Sequence, residues 1–133
     1  MTAPRRLTLP LDEAAVRAVS VGDLVTLTGV LCTGRDAVHH YLAAGGACPV
    51  DLRGGVIYHC GPVVIRDGAG WRVTAAGPTT SIREEPYMAA LIERHGLRAI
   101  IGKGGMGEAT RLACRRHGCL YLHAVGGAAQ VLA

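Results

Sequence analysis

The second half of the sequence alternates short apolar segments with amphipathic helical segments, and this order constrains the fold more than any other feature. It predicts strands at 71–76, 97–101 and 119–125, and helices at about 84–95 and 108–117. Gly96 and Gly118 directly follow the two helices, at the position where a left-handed residue commonly ends a helix. Short apolar strands of this kind are typical of buried parallel sheets. We therefore predict an α/β fold whose second half is β-α-β-α-β.

The first half gives a less regular pattern. It predicts a helix at 11–19, a strand at 21–31, a short helix at about 36–43, a strand at 56–59 and a hairpin-like turn at 67–70. Without a repeat or a linker composition, the 133 residues are predicted to form one domain, 1–133.

Composition excludes several classes of function. The chain has no Phe and one Trp, and its net charge of +4 comes from scattered basic residues, which argues against nucleic-acid binding. No apolar run approaches the about 20 residues of a membrane helix, and the first ten residues lack the apolar core of a signal peptide, so a cytoplasmic location without membrane contact is expected. The five cysteines form no C-x-x-C pair, and we assign no metal to this chain.

Three glycine-rich or hydroxyl-rich loops follow the predicted strands of the second half. They are GPTTS (77–81), GKGGMG (102–107) and VGGAA (125–129). In parallel α/β units such loops gather at the carboxyl edge of the sheet, where ligands bind. The first two loops precede a helix N-terminus, where partial positive charge favours an anion. Together with the backbone N–H groups, including those of Gly77 and Gly104, and the charges of Arg83 and Lys103, they predict a pocket for a compact anion with several charges.

Alternative explanations exist for these loops. Thr79, Thr80 or Ser81 could cap the following helix. GKGGMG satisfies G-x-G-x-x-G, but no Asp or Glu follows Glu108 to hold a ribose, and Gly104 stands where a P-loop needs Ser or Thr, so both nucleotide interpretations fail.

A further polar cluster lies in TGRDAVHH (33–40), where Arg35, Asp36 and His39 fall close together. The cluster is either functional or a helix cap followed by a surface histidine, and the sequence alone leaves both open.

The run AAGPTTSIREEPY, followed by LRAIIGKGGMG and AVGGAA, resembles the β subunit or C-terminal domain of class I, iron–sulfur-dependent fumarases and tartrate dehydratases. VGDLVTLTGVLCTGRDAVHHYL and GGVIYHCGP resemble earlier blocks of that family in the same order, so the resemblance covers about residues 7–129. It implies a swivelling β/β/α domain and a hydro-lyase that adds water to, or removes it from, a small dicarboxylate such as fumarate/malate or tartrate/oxaloacetate.

The resemblance also implies residue roles and partners. A separate α subunit would hold a [4Fe–4S] cluster with one open iron, in a heterotetramer or around a homodimer of this domain. The substrate carboxylates would be bound by Arg35, Arg83 and Lys103. The reacting carbon would lie next to Thr79, Thr80 and Lys103. Glu84 stands where family members commonly have Met. The alternative function is a non-catalytic dicarboxylate-binding or scaffold module with the same fold.

Overall fold

The computed structural model describes residues 4–124. The described chain contains these elements in order: β1 Arg5–Thr8, α1 Glu13–Arg17, β2 Val25–Thr28, β3 Cys32–Gly34, α2 Asp36–Ala43, β4 Val56–His59, β5 Val63–Asp67, β6 Gly70–Ala75, a 3₁₀ helix Ser81–Glu84, α3 Glu85–His95, β7 Ala99–Gly102, α4 Glu108–His117 and β8 Leu120–His123. Within residues 4–124 no helix combines the length and the apolarity that crossing a membrane requires.

The central sheet has the strand order β3-β4-β7-β8, and each neighbouring pair is parallel. Since parallel strands point the same way, their carboxyl ends meet at one edge. That edge carries the segments that begin at Arg35, Cys60 and Lys103.

Both faces of the central sheet are covered. Ile57 and Ile100 pack against residues of the helical layer, whereas Val56 and Ala99 pack on the other face with residues from β1, α1 and β2. This alternation follows from the two-residue period of a strand, and it explains why β4 and β7 are mostly apolar. The resulting order of layers, a small β1–β2 sheet, the central sheet and the helices, agrees with the β/β/α architecture that the resemblance implies.

The α/β fold class is confirmed, whereas β1 was not predicted from the sequence. The short helix at 36–43 and the helix at 108–117 have the predicted bounds. The helix predicted from residue 84 begins as a 3₁₀ turn, and α3 proper starts at Glu85 and ends at Gly96, which has a φ of 67°.

One prediction about the sheet is wrong. The strand at 70–75 does not belong to the parallel sheet but pairs antiparallel with β5, in a two-stranded hairpin. Gly68, with a φ of 62°, allows the tight turn that brings the two strands together without a crossover helix.

The long strand predicted at 21–31 is also shorter than expected. Gly22 has a φ of 91°, and the Asp23 carboxylate accepts a 2.9 Å hydrogen bond from the Ser20 N–H, so a turn occupies the beginning of this segment. Gly29, with a φ of 135°, separates β2 from β3, which belongs to the other sheet.

Candidate functional site

Arg35 lies at the first of the carboxyl ends, directly after β3, in the N-cap position of α2. Its side chain is exposed and lies across the backbone of Gly61, just beyond β4. A Cβ atom on Gly61 would stand only 2.5 Å from Arg35 Cδ and 2.9 Å from one of its guanidinium nitrogens. Gly61 therefore provides the space that places this guanidinium at the end of β4.

The GPTTS segment crosses from the end of β4 to the end of β7. Thr79 donates two hydrogen bonds to the His59 carbonyl, from its N–H at 2.8 Å and from its hydroxyl at 3.2 Å. Thr80 forms a β-bridge with Lys103, and the Ser81 N–H donates to the Lys103 carbonyl at 3.1 Å. These bonds fix both threonines and Lys103 at one edge of the sheet.

The candidate site residues that the structure brings together are solvent-accessible. Arg35, Thr80 and Arg83 are exposed, and Thr79 and Lys103 are half-buried. The neighbouring Glu84 carboxyl has the largest lowering effect on the pKa of the Asp36 carboxyl, and the guanidinium groups of Arg83 and Arg35 lower it further. Both arginines therefore lie near Asp36 and near each other.

The glycine donors are less favourably placed. Gly77 is half-buried, and the Gly104 N–H points at His123 Nε2 at 3.5 Å rather than into open solvent. The loop at 125–129 lies outside the described residues. Among the described residues, the cationic side chains are therefore better placed than these glycine N–H groups to bind an anion.

A chain of hydrogen bonds connects the GKGGMG loop and the GPTTS loop to buried residues. The Gly105 N–H donates to the Tyr121 hydroxyl (3.2 Å), which donates to Ser81 Oγ (3.0 Å). Ser81 Oγ lies 2.8 Å from His59 Nδ1, and His59 Nε2 lies 3.4 Å from Met88 Sδ. A thioether only accepts, so Nε2 carries the proton and Nδ1 accepts from Ser81. Burial and the neighbouring His39 lower the pKa of His59 to about 4, in keeping with this neutral tautomer.

The capping explanation for the threonines and the serine fails. Neither Thr80, at the start of the 3₁₀ helix, nor Glu84, before α3, makes a side-chain capping bond. Thr79 and Ser81 are engaged with His59 instead.

His39 is not the surface residue that the alternative explanation of TGRDAVHH assumed. Its side chain is 0% exposed, and Nδ1 lies 2.7 Å from the Arg35 carbonyl and 3.0 Å from Glu84 Oε2. Glu84 is 1% exposed, and neither of its carboxyl oxygens has a well-aligned hydrogen-bond donor among the described residues. Burial lowers the pKa of His39. Burial raises the pKa of Glu84 to about 7, the neighbouring Asp36 adds to the rise, and Arg35 and Arg83 oppose it.

The N-terminus of α4 is not available to a ligand in the predicted way. The Glu85 carboxylate accepts hydrogen bonds from the Gly107 N–H (2.9 Å), the Thr110 N–H (3.4 Å) and the Thr110 hydroxyl (2.6 Å). Burial alone would raise the pKa of Glu85, but these hydrogen bonds outweigh it and lower the pKa. The helix therefore finds its stabilising anion within the chain, which corrects the expectation that this terminus binds substrate.

Sequence reasoning did not predict the contacts of the buried and half-buried residues beneath the site, namely Glu84, Glu85, Ser81, His59 and Tyr121. The one signal in the sequence was the pair of adjacent glutamates, Glu84 and Glu85, at the start of the helix predicted at about 84–95.

Comparison with known proteins gives a consistent result. The sequence model of a family described as Fumarase C-terminus matches residues 4–133. The chain is 54% identical over 128 residues to a predicted class I fumarate hydratase of Geobacillus stearothermophilus, covering 96% of this chain and 25% of that protein. It is 38% identical over 128 residues to the L(+)-tartrate dehydratase subunit beta of Escherichia coli K12, covering 96% and 64%, respectively. The chain thus spans a quarter of one relative and less than two thirds of the other. On these matches, the chain belongs to the Fumarase C-terminus family.

Proposed function

We propose that this chain is the β-type subunit of an iron–sulfur-dependent hydro-lyase that interconverts a small dicarboxylate and its hydrated form, such as fumarate and malate or tartrate and oxaloacetate. The observation that carries the proposal is the convergence of Arg35, Arg83 and Lys103 with two threonines at one sheet edge. The names of the two relatives, a fumarate hydratase and a tartrate dehydratase subunit, support it.

Arg35 and Arg83 would bind the substrate carboxylates. Arginine matches a carboxylate with two parallel N–H donors, which fixes the orientation of the acid as well as its position. Lys103, whose backbone is bonded to Ser81 and bridged to Thr80, would place a third positive charge on the other side of the threonines. A dianion bound between these groups would have its carbon chain over Thr79 and Thr80.

The two threonines differ in what their hydroxyl groups can do. The Thr79 hydroxyl donates to the His59 carbonyl, so it is held in one orientation. Thr80 is exposed, and its hydroxyl makes no hydrogen bond within residues 4–124. We assign the proton transfer at the carbon beside the carboxylate to Thr80, and orientation to Thr79. An alcohol is a weak base, and the surrounding cationic groups would favour its deprotonated form.

The iron–sulfur cluster belongs, in this proposal, to the partner subunit. Among the described residues no group of three or more Cys, His, Asp or Glu side chains converges as metal ligands. The cysteines of this chain therefore do not fit a cluster. A partner cluster with an open iron would supply Lewis-acid polarisation of the substrate hydroxyl, while this chain binds the carboxylates and handles the proton.

The β5–β6 hairpin supports the existence of a partner. The two strands pair only with each other, and Val63, Val64, Trp71 and Val73 are 42–67% exposed. An isolated two-stranded hairpin is at best marginally stable in water, and exposed apolar clusters commonly mark interaction surfaces. Because the hairpin connects β4 to GPTTS, both of its ends join segments that carry site residues. A subunit that closes the site would contact it.

Trp71→Ala is expected to weaken binding of the cluster-bearing subunit by about 10- to 100-fold, since large aromatic side chains dominate such interfaces. Leu112→Ala is the control, because Leu112 is also an exposed apolar residue (48%) but lies on α4. Sedimentation equilibrium or calorimetry would measure both dissociation constants. Equal constants for the two variants would show that the hairpin does not contact the partner.

The function is tested by anaerobic co-expression with a candidate partner that carries three cluster cysteines. Fumarate hydration and tartrate dehydration would be assayed for the complex and for each chain alone. We expect activity only in the complex, and the preferred acid identifies the enzyme. A cluster-loaded complex that is inactive on fumarate, malate and tartrate would overturn the proposal in favour of a non-catalytic dicarboxylate-binding or scaffold module.

A further inference from the structure

A buried acidic group lies directly behind the two arginines. Glu84 is the residue after Arg83, and His39, which contacts its carboxyl at 3.0 Å, is four residues after Arg35. The His39 ring in turn packs edge-on against His59, with 5.0 Å between ring centroids. The charged and titratable groups around Glu84 are Arg35, Asp36 and His39 from the α2 segment and Arg83 from the 3₁₀ helix, with His59 behind His39.

The hydrogen-bond donors and acceptors of this cluster determine where its protons lie. The Arg35 carbonyl can only accept, so His39 Nδ1 carries a proton and donates it at 2.7 Å. A charged Glu84 would then be a carboxylate with no well-aligned donor on either oxygen, which is costly in a buried position. Glu84 also lies close to Asp36, and repulsion between two neighbouring carboxylates favours a state in which one of the two keeps a proton. The buried Glu84 is the better place for that proton, and the exposed Asp36 the better place for the charge.

We propose that Glu84 is a proton-holding residue whose protonation state sets the affinity of the Arg35–Arg83 pair for the substrate dianion. The inference rests on the proposed function and extends it. With Glu84 protonated, the two arginines face a single carboxylate, Asp36, and retain net positive charge for the substrate. With Glu84 ionised, two carboxylates neutralise the two arginines, and their net attraction for the substrate dianion is lost.

The direction of the pH dependence follows from this arrangement. Burial and Asp36 raise the pKa of Glu84 to about 7, so the residue loses its proton as the pH rises through neutrality. Small dicarboxylates are mostly dianions at pH 6, and their remaining ionisation above that pH would only strengthen binding to cationic groups. Binding should therefore be tight below pH 7 and weaken above it. By linkage, binding of the dianion near pH 7.5 should draw a proton into the protein.

The experiment uses the assembled complex and succinate, a dicarboxylate that can neither gain nor lose water. Calorimetric titrations from pH 6 to 8.5, in buffers of different ionisation enthalpy, give both the dissociation constant and the number of protons taken up. For the wild type we expect affinity to fall about tenfold across this range, with proton uptake near pH 7.5; a coupling of one pKa unit corresponds to a factor of ten. Glu84→Gln keeps the shape and the neutral state, so its affinity should stay at the low-pH value without proton uptake.

Asp36→Asn gives a second test on an exposed residue. Because Asp36 raises the pKa of Glu84, its removal should move the midpoint of the affinity loss to lower pH. If Glu84→Gln retains the wild-type pH dependence, or if Asp36→Asn leaves the midpoint unchanged, Glu84 does not control binding and the inference is wrong, although the proposed function stands. If neither succinate nor any reactive dicarboxylate binds the complex, the inference and the proposed function both fail.

Discussion

Alanine in place of Arg35 is expected to lower kcat/KM of the assembled enzyme for its dicarboxylate by about 100- to 1,000-fold. The guanidinium supplies paired hydrogen bonds to a carboxylate, and the loss of one partner in such a charged pair typically costs about 2–5 kcal/mol. Arg35→Lys should restore only part of the activity, since an ammonium cannot reproduce the paired geometry. The measurement is steady-state kinetics at pH 6.5, where Glu84 holds its proton for most of the time.

A substitution at Gly61 tests the position of the Arg35 guanidinium while Arg35 itself is kept. Gly61→Ala places a methyl group 2.5 Å from Arg35 Cδ, and the side chain must leave its position across the end of β4. Gly61 is not among the described glycines with positive φ, so the backbone accepts alanine. We expect a raised KM and an unchanged Tm. Arg115→Ala, in the last turn of α4, is the matched control and should leave kcat/KM unchanged. Wild-type kinetics for both Arg35→Ala and Gly61→Ala would exclude Arg35 from the substrate site.

Local signals predicted the helices of this fold better than its sheets. The helix ends at Gly96 and Gly118 depend on residues next to each other in the chain, and both glycines adopt the expected left-handed conformation. Sheet membership depends on pairing over longer distances. The segment at 70–75 forms the strand that the sequence predicts, but its partner is β5, which lies across a tight turn, rather than a strand of the parallel sheet.

In the candidate site, too, local sequence patterns predicted some features, whereas contacts between distant segments were not predicted. Lys103 could be placed at this edge because it follows an apolar strand of the parallel sheet. The threonines were placed there on a wrong premise, since the strand before them belongs to the hairpin, and Arg35 was assigned to the site only by the resemblance. The contacts beneath them could not be predicted. Glu84 and His39 are 45 residues apart, and no periodicity indicates that two polar side chains from different segments will be buried against each other.

Gly102 illustrates how a motif can be present for a reason other than the one it suggests. It is the first glycine of G-x-G-x-x-G, a motif whose glycines in dinucleotide sites allow a tight turn and a close approach of the ligand. In this chain the space beside Gly102 is filled by two side chains of the protein. A Cβ atom on Gly102 would lie 1.7 Å from Ser81 Oγ and 3.0 Å from His59 Nδ1. The glycine therefore admits the serine that connects Tyr121 to His59 beneath the threonines.

Gly102→Ala is accordingly expected to destabilise the chain by about 3 kcal/mol or more, lowering Tm by roughly 10 °C. The alanine methyl overpacks a buried position and breaks both hydrogen bonds of Ser81, so the cost combines steric strain with unsatisfied polar groups. Gly70→Ala is the control, because its new Cβ would meet only the Asp67 carbonyl, at 3.9 Å. Thermal unfolding followed by circular dichroism measures all variants.

The double variant Gly102→Ala/Ser81→Ala separates this clash from a general intolerance of alanine at position 102. Ser81→Ala alone should be destabilising, since it removes the bonds to His59 and Tyr121. In the Gly102→Ala background the same change removes the oxygen at 1.7 Å and leaves only the Ser81 Cβ at 3.1 Å, so it should raise Tm. This reversal of sign is the expected result for two side chains that compete for one space. If Ser81→Ala lowers Tm equally in both backgrounds, the close approach of Gly102 to Ser81 is not what selects glycine at this position.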